Sequence, residues 1–434
     1  MKFQGWRHMS KQSKKGLVPE LRFSEFEEKG EWVKRKLIDV TDKHVKWSFI
    51  GGPFGSNLKS SDYVPDGVRV IQLQNIGDAE FMDDYKIFTS EEKANELLSN
   101  NIYPGDIILS KMGDPVGRAC LIPDNHPRYV MCSDGIRLVV DQEKFSKYFV
   151  YMLINSAWFR ASVEKAATGS TRKRIGLDDL KKLPLIVPKL LKEQQKIADC
   201  LSSLDELIAA LTQKYQTLQL YKKGLLQNLF PAEDKNLPAL RFPEFLDSGT
   251  WIKTVLGEIA TFSKGKGISK SDVEIDGKLP CIRYGELYTV YGETIDEVVS
   301  FTNIPVETLV LSKSNDVIIP ASGETQEDIA TASCVKKEGV ALGSDLNIIR
   351  SNINGVFLSY YLNSSKKHEI AQMAQGISVI HLYPAQLKTL VIYLPPKSCE
   401  QQKIVDCLSF VDNLITAQTQ KIEVLKIHKK GLMQ

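Results

Sequence analysis

Two stretches of this chain carry apolar residues at alternating steps of three and four, which is the spacing of coiled-coil helices. They begin with nearly the same ten residues, at 193–202 and again at 400–409. For one copy alone, a core helix of a helical bundle is an equal alternative, but two copies with one stripe favour a paired coiled coil. We predict that the stripe consists of Ile197, Leu201, Leu204, Ile208, Leu211 and Leu218 in the first helix, and of Ile404, Leu408, Val411, Ile415, Ile422 and Leu425 in the second.

The segments outside these helices also repeat, which indicates a duplicated domain. Residues 21–26 with Trp32 recur as residues 240–245 with Trp251. Apolar residues in these regions come in short runs between Gly, Pro, Asp and Asn, a pattern typical of strands. The sequence therefore predicts a mixed α/β fold, in which two α/β domains are separated by two long antiparallel coiled-coil helices and are related by a pseudo-two-fold internal repeat.

The repeats also define predicted domain boundaries. Pro231 and the polar residues after it end the first helix. The second helix buries its stripe most economically by running back along the first, so we expect antiparallel pairing with a globular domain at each end. The predicted parts are a disordered tail at 1–16, a first domain at 17–190, a spacer helix at 191–230, a second domain at 231–396 and a second spacer helix at 397–434.

Composition and charge narrow the classes of protein without selecting one. Of the 434 residues, 43% are hydrophobic and 25% charged, which is ordinary for a globular protein of two or more domains. No apolar run is long enough to cross a membrane, and the net charge of +3 neither demands nor excludes nucleic acid. The seven cysteines include no Cys-x-x-Cys pair and the six histidines have no ligand spacing, so we expect reduced thiols in a cytoplasmic protein without a metal site.

Motifs of the common enzyme classes are absent from the sequence. There is no phosphate-binding loop, no dinucleotide-binding Gly-x-Gly-x-x-Gly after a strand, no nucleophile elbow and no His-Glu-x-x-His. The Asn/Asp-Pro-Pro-Tyr/Phe tetrapeptide of amino-methyltransferases is also missing. We therefore predict no catalytic residues and a protein that is not an enzyme by itself.

Glycine-rich loops with lysines are the candidate chemistry that remains, at 51–61 and at 264–270. Glycine lets a backbone approach a phosphate closely, and lysine adds non-specific attraction. Glutamine and asparagine suit adenine edges, and arginine suits guanine. A lysine in a loop is usually just solvated, so the argument depends on recurrence in both halves. The candidate DNA-binding residues are Gly52, Phe54, Gly55, Ser56, Lys59, Gln72, Gln74, Asn75, Lys111, Arg172, Lys173, Arg174, Lys264, Lys266, Ser269, Lys270, Arg283, Tyr284 and Tyr288.

This combination closely resembles the specificity subunit of type I restriction–modification systems. The resemblance is carried by the Gly-Pro-Phe-Gly-Ser loop at 52–56, the Gly-Lys-Gly-Ile-Ser-Lys loop at 265–270, the Gly-Ser-Thr turn at 169–171 and the Glu-Gln-Gln-Lys-Ile helix start that occurs twice. It implies two target-recognition domains, each of which reads one half of a split double-stranded DNA sequence.

The resemblance also implies partners and cofactors. It implies a complex with two modification subunits, which methylate adenine N6 with S-adenosylmethionine. Motor-nuclease subunits that use ATP and magnesium would join them for restriction. The chain itself is expected to bind no cofactor.

The two copies of the repeat differ at two places. The basic residues at 170–174 are replaced by Ile-Ser-Val-Ile-His at 377–381, so a uniform phosphate role of this turn is not expected. The first helix copy continues through 228–230, whereas the second stops at Gln434. We expect a slightly weaker helix seam or partner contact at that end.

A DNA-specificity subunit is therefore the leading hypothesis, and a coiled-coil adaptor whose globular ends bind proteins is the alternative. The heptads alone fit both. Retention on DNA that falls steeply with rising salt would distinguish them, because only phosphate contacts release counterions. A stand-alone nuclease is disfavoured because the sequence has no recognisable cluster of metal-binding carboxylates.

Overall fold

The computed structural model describes residues 17–376 and 379–433, which divide into two units. Unit 1 comprises the described residues up to Ala210 and from Ile422 onwards, and unit 2 comprises Leu211–Lys421. The tail predicted at 1–16 lies outside the described residues. Each unit combines short strands, short helices and parts of two long helices, so the predicted mixed α/β class is confirmed. The domain boundaries given above stay a prediction.

Unit 1 is built from short strands separated by turns. Its strands are β1 (Val33–Lys36), β2 (Phe49–Gly51), β3 (Tyr63–Val64), β4 (Val68–Ile71), β5 (Ile87–Thr89), β6 (Asn101–Ile102), β7 (Ile107–Ser110), β8 (Met112–Gly113), β9 (Ala119–Leu121), β10 (Tyr129–Met131), β11 (Gly135–Leu138), β12 (Lys173–Arg174) and β13 (Pro184–Val187). Its helices are α1 (Glu91–Glu96), α2 (Lys147–Ile154), α3 (Ala157–Ala166), α4 (Leu177–Lys182) and the first part of α5 (Leu191–Leu229).

The strands of unit 1 form two main sheets around a buried core. One has the order β3-β5-β4-β10-β6, and the other has the order β2-β11-β7-β9. All pairs are antiparallel except β4 with β10. Strands β4, β7 and β11 are buried along their whole length, and most of their residues are apolar. The buried arginines of β4 and β11 each pair with an aspartate. The pairs β1–β13 and β8–β12 complete the unit.

Unit 2 has a related set of elements. Its strands are β14 (Ile252–Val255), β15 (Ala260–Lys264), β16 (Leu279–Ile282), β17 (Thr294–Ile295), β18 (Ser300–Thr302), β19 (Asp316–Pro320), β20 (Ser322–Gly323), β21 (Ser333–Val335), β22 (Ala341–Leu342), β23 (Leu346–Ser351), β24 (Ile380–His381) and β25 (Val391–Leu394). Its helices are α6 (Leu256–Ile259), α7 (Glu286–Thr289), α8 (Gln326–Ile329), α9 (Gly355–Asn363), α10 (Lys367–Met373), α11 (Pro384–Lys388) and most of α12 (Ser398–Leu432). The main sheet has the order β15-β23-β19-β21-β17, beside a smaller sheet β18-β16-β22 and the pairs β14–β25 and β20–β24.

A buried ion pair ties the start of each long helix to one copy of the repeated segment, 21–26 in unit 1 and 240–245 in unit 2. In unit 1 the guanidinium of Arg22 donates to both carboxylate oxygens of Glu193 over 2.7 and 2.8 Å, and Nε1 of Trp32 donates to Oε1 over 2.9 Å. The glutamate is 1% exposed. This contact explains why residues 21–26, the tryptophan and the helix start repeat together, since a buried carboxylate requires its partners.

The long helices run antiparallel within unit 2. Nε2 of Gln418 donates to the carbonyl of Leu211 over 3.0 Å, and Nζ of Lys222 lies 2.7 Å from Oδ1 of Asp412. Burial alone would lower the pKa of Lys222, but the nearby Glu293 and Asp412 more than compensate and raise it. A buried polar residue such as Gln418 in an apolar seam fixes helix register at some cost in stability.

The predicted stripe residues share one environment. All twelve are buried or half-buried, whereas apolar residues off the stripe, such as Leu220, Phe410 and Ile427, are exposed. In unit 1 the end of α12 meets the first part of α5 through an ion pair of Lys429 with Asp205. This pair occupies the same place in the repeat as the pair of Lys222 with Asp412, so both units contain the same antiparallel helix contact.

Candidate nucleic-acid interface

In unit 1 the glycine-rich loop leaves β2 at a place where only glycine fits. Gly52 donates its N–H to the carbonyl of Gly135 over 2.7 Å, and a Cβ on Gly52 would lie 1.7 Å from the carbonyl oxygen of Cys132. The loop beyond it is exposed and carries four predicted residues, Phe54, Gly55, Ser56 and Lys59. Phe54 is 82% exposed, so the loop presents an aromatic ring beside accessible backbone and a lysine.

The three predicted base-reading side chains in the turn after β4 differ in their exposure to solvent. Asn75 is fully buried: its Oδ1 accepts from the N–H of Gln72 over 2.9 Å, and its Nδ2 donates to two backbone carbonyls over 2.8 and 2.9 Å. The expectation that Asn75 contacts an adenine edge is therefore corrected, because its amide holds the turn together. Gln72 is half-buried and donates to the hydroxyl of Tyr63 over 3.1 Å, whereas Gln74 is exposed.

Asp134 connects the basic turn at 170–174 to Lys111, the residue that follows β7. Its carbonyl accepts from the N–H of Lys111 over 2.7 Å, and its carboxylate pairs with Arg174. Lys173 pairs with a glutamate of α3. Both turn charges are therefore partly neutralised within unit 1. Arg172, which is exposed, is the residue of this turn best placed for a phosphate.

In unit 2 the lysine-rich loop leaves β15 through the same kind of close approach. Gly265 donates its N–H to the carbonyl of Leu346 over 2.9 Å, and a Cβ on Gly265 would lie 2.0 Å from the carbonyl oxygen of Gly343. The predicted residues of this loop, Lys264, Lys266, Ser269 and Lys270, are all exposed. Lys264 places its Nζ 5.4 Å from the ring centroid of Tyr383.

Ser269 has a local role in the same loop. Its N–H and its hydroxyl both donate to Oδ2 of Asp272 over 2.6 Å. These hydrogen bonds lower the pKa of the Asp272 carboxyl, the side-chain hydroxyl having the largest effect. The hydroxyl of Ser269 is thus engaged within the loop, and the neighbouring lysines supply its accessible charge.

Arg283 rests on a buried carboxylate. Its Nη2 and its backbone N–H donate to the two carboxylate oxygens of Glu286 over 3.0 Å each, and Ser300 donates its hydroxyl to the same carboxylate over 2.6 Å. Glu286 is 4% exposed. The pairing orients the guanidinium and leaves Nε of Arg283 buried without a partner among the described residues.

Four predicted residues of unit 2 surround one cavity of about 530 Å³. Its walls include Ser269, Lys270, Arg283 and Tyr284. Tyr288 is adjacent, with its ring centroid 6.5 Å from that of Tyr284. The structure therefore brings the loop at 264–270 and the segment after β16 together, although they are separated in the sequence.

The hydrogen-bonded residue pair that closes the basic turn is the same in both units, but the charges of the turn differ. In unit 1 the N–H groups of Thr168 and Arg174 donate to each other's carbonyls over 2.9 and 2.8 Å, and Gln375 and His381 do the same in unit 2 over 2.9 and 2.7 Å. Arg174 pairs with a carboxylate, whereas Nδ1 of His381 lies 3.2 Å from the hydroxyl of Ser322. The turn in unit 2 therefore lacks the arginine charge of its counterpart.

Two arginines that no sequence pattern singles out lie near each other in unit 1, and one of them contacts the turn at 72–75. Nη2 of Arg118 donates to the carbonyl of Leu73 over 3.4 Å, and its Nε is buried without a partner among the described residues. Arg160 also has a buried, unpartnered nitrogen, Nη1. Burial lowers the pKa of Arg160, and the charge of Arg118 lowers it further, against the opposing effect of Asp78. Only folding brings these two positive charges near each other.

Comparison with known proteins identifies the class of these domains. The family described as Type I restriction modification DNA specificity domain matches residues 30–220 and again 249–426. The chain therefore belongs to the family of type I restriction–modification specificity subunits, which recognise DNA and are not themselves catalytic.

Individual relatives match over half of the chain or more. The type I restriction enzyme MjaIX specificity subunit of Methanocaldococcus jannaschii is 21% identical over 417 residues, which cover 93% of this chain and 92% of the relative. The MjaVIII specificity subunit of the same organism is 23% identical over 222 residues, covering 50% and 48%. The crystal structure of a type I S subunit from M. genitalium has a similar fold, with a TM-score of 0.57, 18% identity, and coverage of 93% of this chain and 95% of that one.

Two kinds of feature are absent from the described residues. Within 17–376 and 379–433, no helix has the length and apolar character needed to cross a membrane. The same residues include no group of His, Cys, Asp or Glu side chains that could hold a metal ion.

Proposed function

We propose that this chain recognises a bipartite double-stranded DNA target, one half-site per unit, and directs adenine-N6 methylation and restriction by partner subunits. The observation that carries the proposal is that both units share one backbone frame while they present different loops. The frame consists of the buried arginine–glutamate–tryptophan contact at the start of each long helix and the close glycine approach at the start of each loop. Gly52 and Gly265 approach corresponding backbone carbonyls with no room for a side chain, yet the loops that follow differ in sequence and charge. Two frames with different surfaces suit two different half-sites.

The contacts in unit 1 are proposed to come from three places. Lys59 and Arg172 would meet phosphates, because both are exposed. Gln74 is the exposed amide of its turn and suits an adenine edge. Gln72 would reach a base only by exchanging its hydrogen bond to Tyr63.

The contacts in unit 2 are proposed to centre on the cavity beside the lysine loop. Lys266 and Lys270 would contact phosphates, since their side chains are exposed. Arg283, which Glu286 holds in a set orientation, would donate to a guanine edge. Tyr284 and Tyr288 would border the same base step.

The proposal includes partners and their cofactors. Two methyltransferase subunits would supply S-adenosylmethionine chemistry, and motor-nuclease subunits would supply ATP- and magnesium-dependent restriction. The chain would contribute specificity alone, in the cytoplasm where the DNA is. Support comes from the family membership and from the long antiparallel helix contact that each unit contains.

Co-expression with its methyltransferase subunit, followed by mapping of methylated adenines across the host genome, tests this function. We expect a single split motif with a fixed gap, and each half should respond to substitutions in one unit only. A continuous motif, or a motif whose two halves both change with loop substitutions in unit 1, would contradict the bipartite assignment. A stable complex that neither modifies DNA nor binds it in a salt-dependent way would favour the adaptor.

A further inference from the structure

The cavity of unit 2 to which Arg283 contributes also has a carboxylate in its wall, that of Asp345. This residue lies between β22 and β23 and is exposed. The lysines of the loop at 264–270 attract phosphates, whereas a carboxylate next to them repels phosphates. A carboxylate on this surface is therefore unfavourable for DNA binding unless it accepts hydrogen bonds from the DNA.

Backbone contacts place Asp345 close to Arg283. Gly343, two residues before the aspartate, donates its N–H to the carbonyl of Ile282 over 2.9 Å. A Cβ on Gly343 would lie 3.6 Å from the Cα of Arg283. Two residues of extended chain span at most about 7 Å. Arg283 and Asp345 therefore lie close enough to contact the same base pair.

The wall that carries Asp345 is also bonded to the lysine loop on the other side of the cavity. Ser344 donates its N–H and its hydroxyl to the carbonyl of Gly267 over 3.1 and 2.7 Å. Gly267 and Ile268 have φ angles of +71° and +48°, a region that favours glycine, and the side chain of Ile268 is buried. The cavity is therefore held in shape by its own backbone, which lowers the cost of ordering it around a ligand.

Asp345 has a counterpart in unit 1 at the same backbone position. The carbonyl of Asp345 accepts from the N–H of Ala321 over 2.7 Å, as the carbonyl of Asp134 accepts from Lys111 over 2.7 Å. Asp134 is only 8% exposed and its carboxylate pairs with Arg174. The carboxylate of unit 1 is therefore neutralised within its own unit, whereas that of unit 2 belongs to an exposed residue.

The hydroxyl of Ser322 orients one oxygen of the Asp345 carboxylate. It donates to Oδ1 over 3.3 Å and lies 3.2 Å from Nδ1 of His381. The other carboxylate oxygen, Oδ2, accepts no hydrogen bond within the described part of the chain. This oxygen is the one available to a ligand. His381→Arg would add only a pair with an exposed carboxylate, and such pairs contribute little.

We propose that Asp345 is a further specificity-determining residue, which reads the cytosine of the base pair whose guanine Arg283 contacts. In the major groove guanine presents the acceptors N7 and O6, and cytosine presents the donor N4. A guanidinium beside a carboxylate matches this pattern. The carboxylate also disfavours A·T at this position, because it would meet the O4 acceptor of thymine. The inference rests on the proposed function, since it requires that unit 2 reads part of the target.

The test uses the full chain with its methyltransferase subunit, mapping of methylated adenines, and binding to duplexes with single-base changes. Asp345→Asn keeps the size of the side chain and replaces one acceptor by an amide donor, which can meet thymine O4. We expect the variant to accept A·T as well as G·C at one position, with discrimination reduced at least about tenfold. Arg283→Lys should relax the same base pair.

A second measurement separates base reading from a structural role. Asp345→Asn should bind DNA that lacks the motif about two- to threefold more tightly, because it removes a negative charge near the phosphates. Asp296→Asn is the matched control, since Asp296 is an exposed aspartate of unit 2 that does not line the cavity. It should change neither the motif nor the binding to other DNA. Asp345→Ala, which adds no donor, should relax the pair without favouring A·T.

The possible failures are distinguishable. An unchanged motif in Asp345→Asn and Asp345→Ala, with methylation intact, would overturn this inference and leave bipartite recognition standing. An equal loss of binding to all sequences would overturn it as well, because it would show that the aspartate supports the cavity and reads no base. So would relaxation at a base pair other than the one that Arg283→Lys affects. The absence of a split motif for the parent chain would instead contradict the proposed function itself.

Discussion

In unit 1 Glu193 accepts hydrogen bonds from Arg22 and Trp32, and in unit 2 Glu400 accepts from Arg241 and Trp251 with distances that agree within a few tenths of an ångström. The proposed DNA-binding surfaces of the same units do not agree. An arginine paired with a carboxylate in one is a histidine beside a serine in the other. The comparison shows that the ion pair at the helix start is kept while the exposed loops change, which is what the proposed recognition of two unlike half-sites requires.

The largest expected effect is on the shared frame. Glu193→Ala and Glu400→Ala should each lower the free energy of unfolding of the affected unit by about 3–5 kcal/mol, since each leaves a buried arginine unpaired. Urea denaturation with hydrogen exchange resolved by unit would measure this. Glu25→Ala and Glu244→Ala, which remove the exposed pairs with Lys196 and Lys403, are matched controls and should cost no more than about 1 kcal/mol. A different cost in the two units would show that the frames are not equivalent.

A second prediction concerns the two close glycine approaches. Gly52→Ala and Gly265→Ala should destabilise their loops by about 1–3 kcal/mol, because each Cβ would meet a backbone carbonyl that cannot move freely. Each should weaken methylation of the split motif, because the half-site that its unit is proposed to read would be bound less well. Gly292→Ala, which has open space around it and lies outside both loops, is the control and should leave methylation unchanged. A comparable loss for Gly292→Ala would show that the effect does not come from the close approach of Gly52 and Gly265 to backbone carbonyls.

A third prediction separates base contact from phosphate contact within unit 2. Arg283→Lys keeps the charge but loses the planar fork, and should relax discrimination at one base pair by about 1–3 kcal/mol. Lys266→Gln should weaken binding to all sequences alike. It should also reduce the slope of the logarithm of the binding constant against the logarithm of the salt concentration, here called the salt slope, by about 1. Binding to a panel of single-base variants at two salt concentrations would measure both. A uniform loss for Arg283→Lys would place this arginine on the backbone.

The smallest expected effect concerns the basic turn, where the units differ most in charge. Arg174→His should reduce the salt slope of DNA binding by at most about 1, because the arginine is already partly neutralised by Asp134. His381→Arg should increase the slope by a similar amount. Neither should change the methylated motif. A change of motif in either variant would assign base contact to this turn.

Several features were within reach of the sequence because they depend on local spacing. The heptad stripe is a property of single helices, and the structure buries all twelve of its residues at least in part. The repeated helix start and the repeated opening segment predicted two related α/β domains, since a duplicated pattern implies a duplicated fold. Enzyme classes could be set aside on the same basis, because their motifs have fixed spacings.

Candidate site residues were less predictable, because their accessibility depends on contacts distant in the chain. Asn75 has a side chain suited to adenine, but its turn consumes every polar atom of that side chain. Lys173 and Arg174 look freely basic in the sequence, yet both find carboxylates after folding. Arg118 and Arg160 carry no motif and are brought together only by tertiary packing.

The sequence by itself determined the class of fold, the internal repeat and the helical seam, because hydrophobic period and duplication are properties of neighbouring residues. Only the tertiary structure decided that Arg22 meets Glu193 across 171 positions, and that Phe230 is buried against Phe357 and Tyr361. Ion pairing and burial depend on which distant segments contact each other, and no local sequence pattern encodes those contacts.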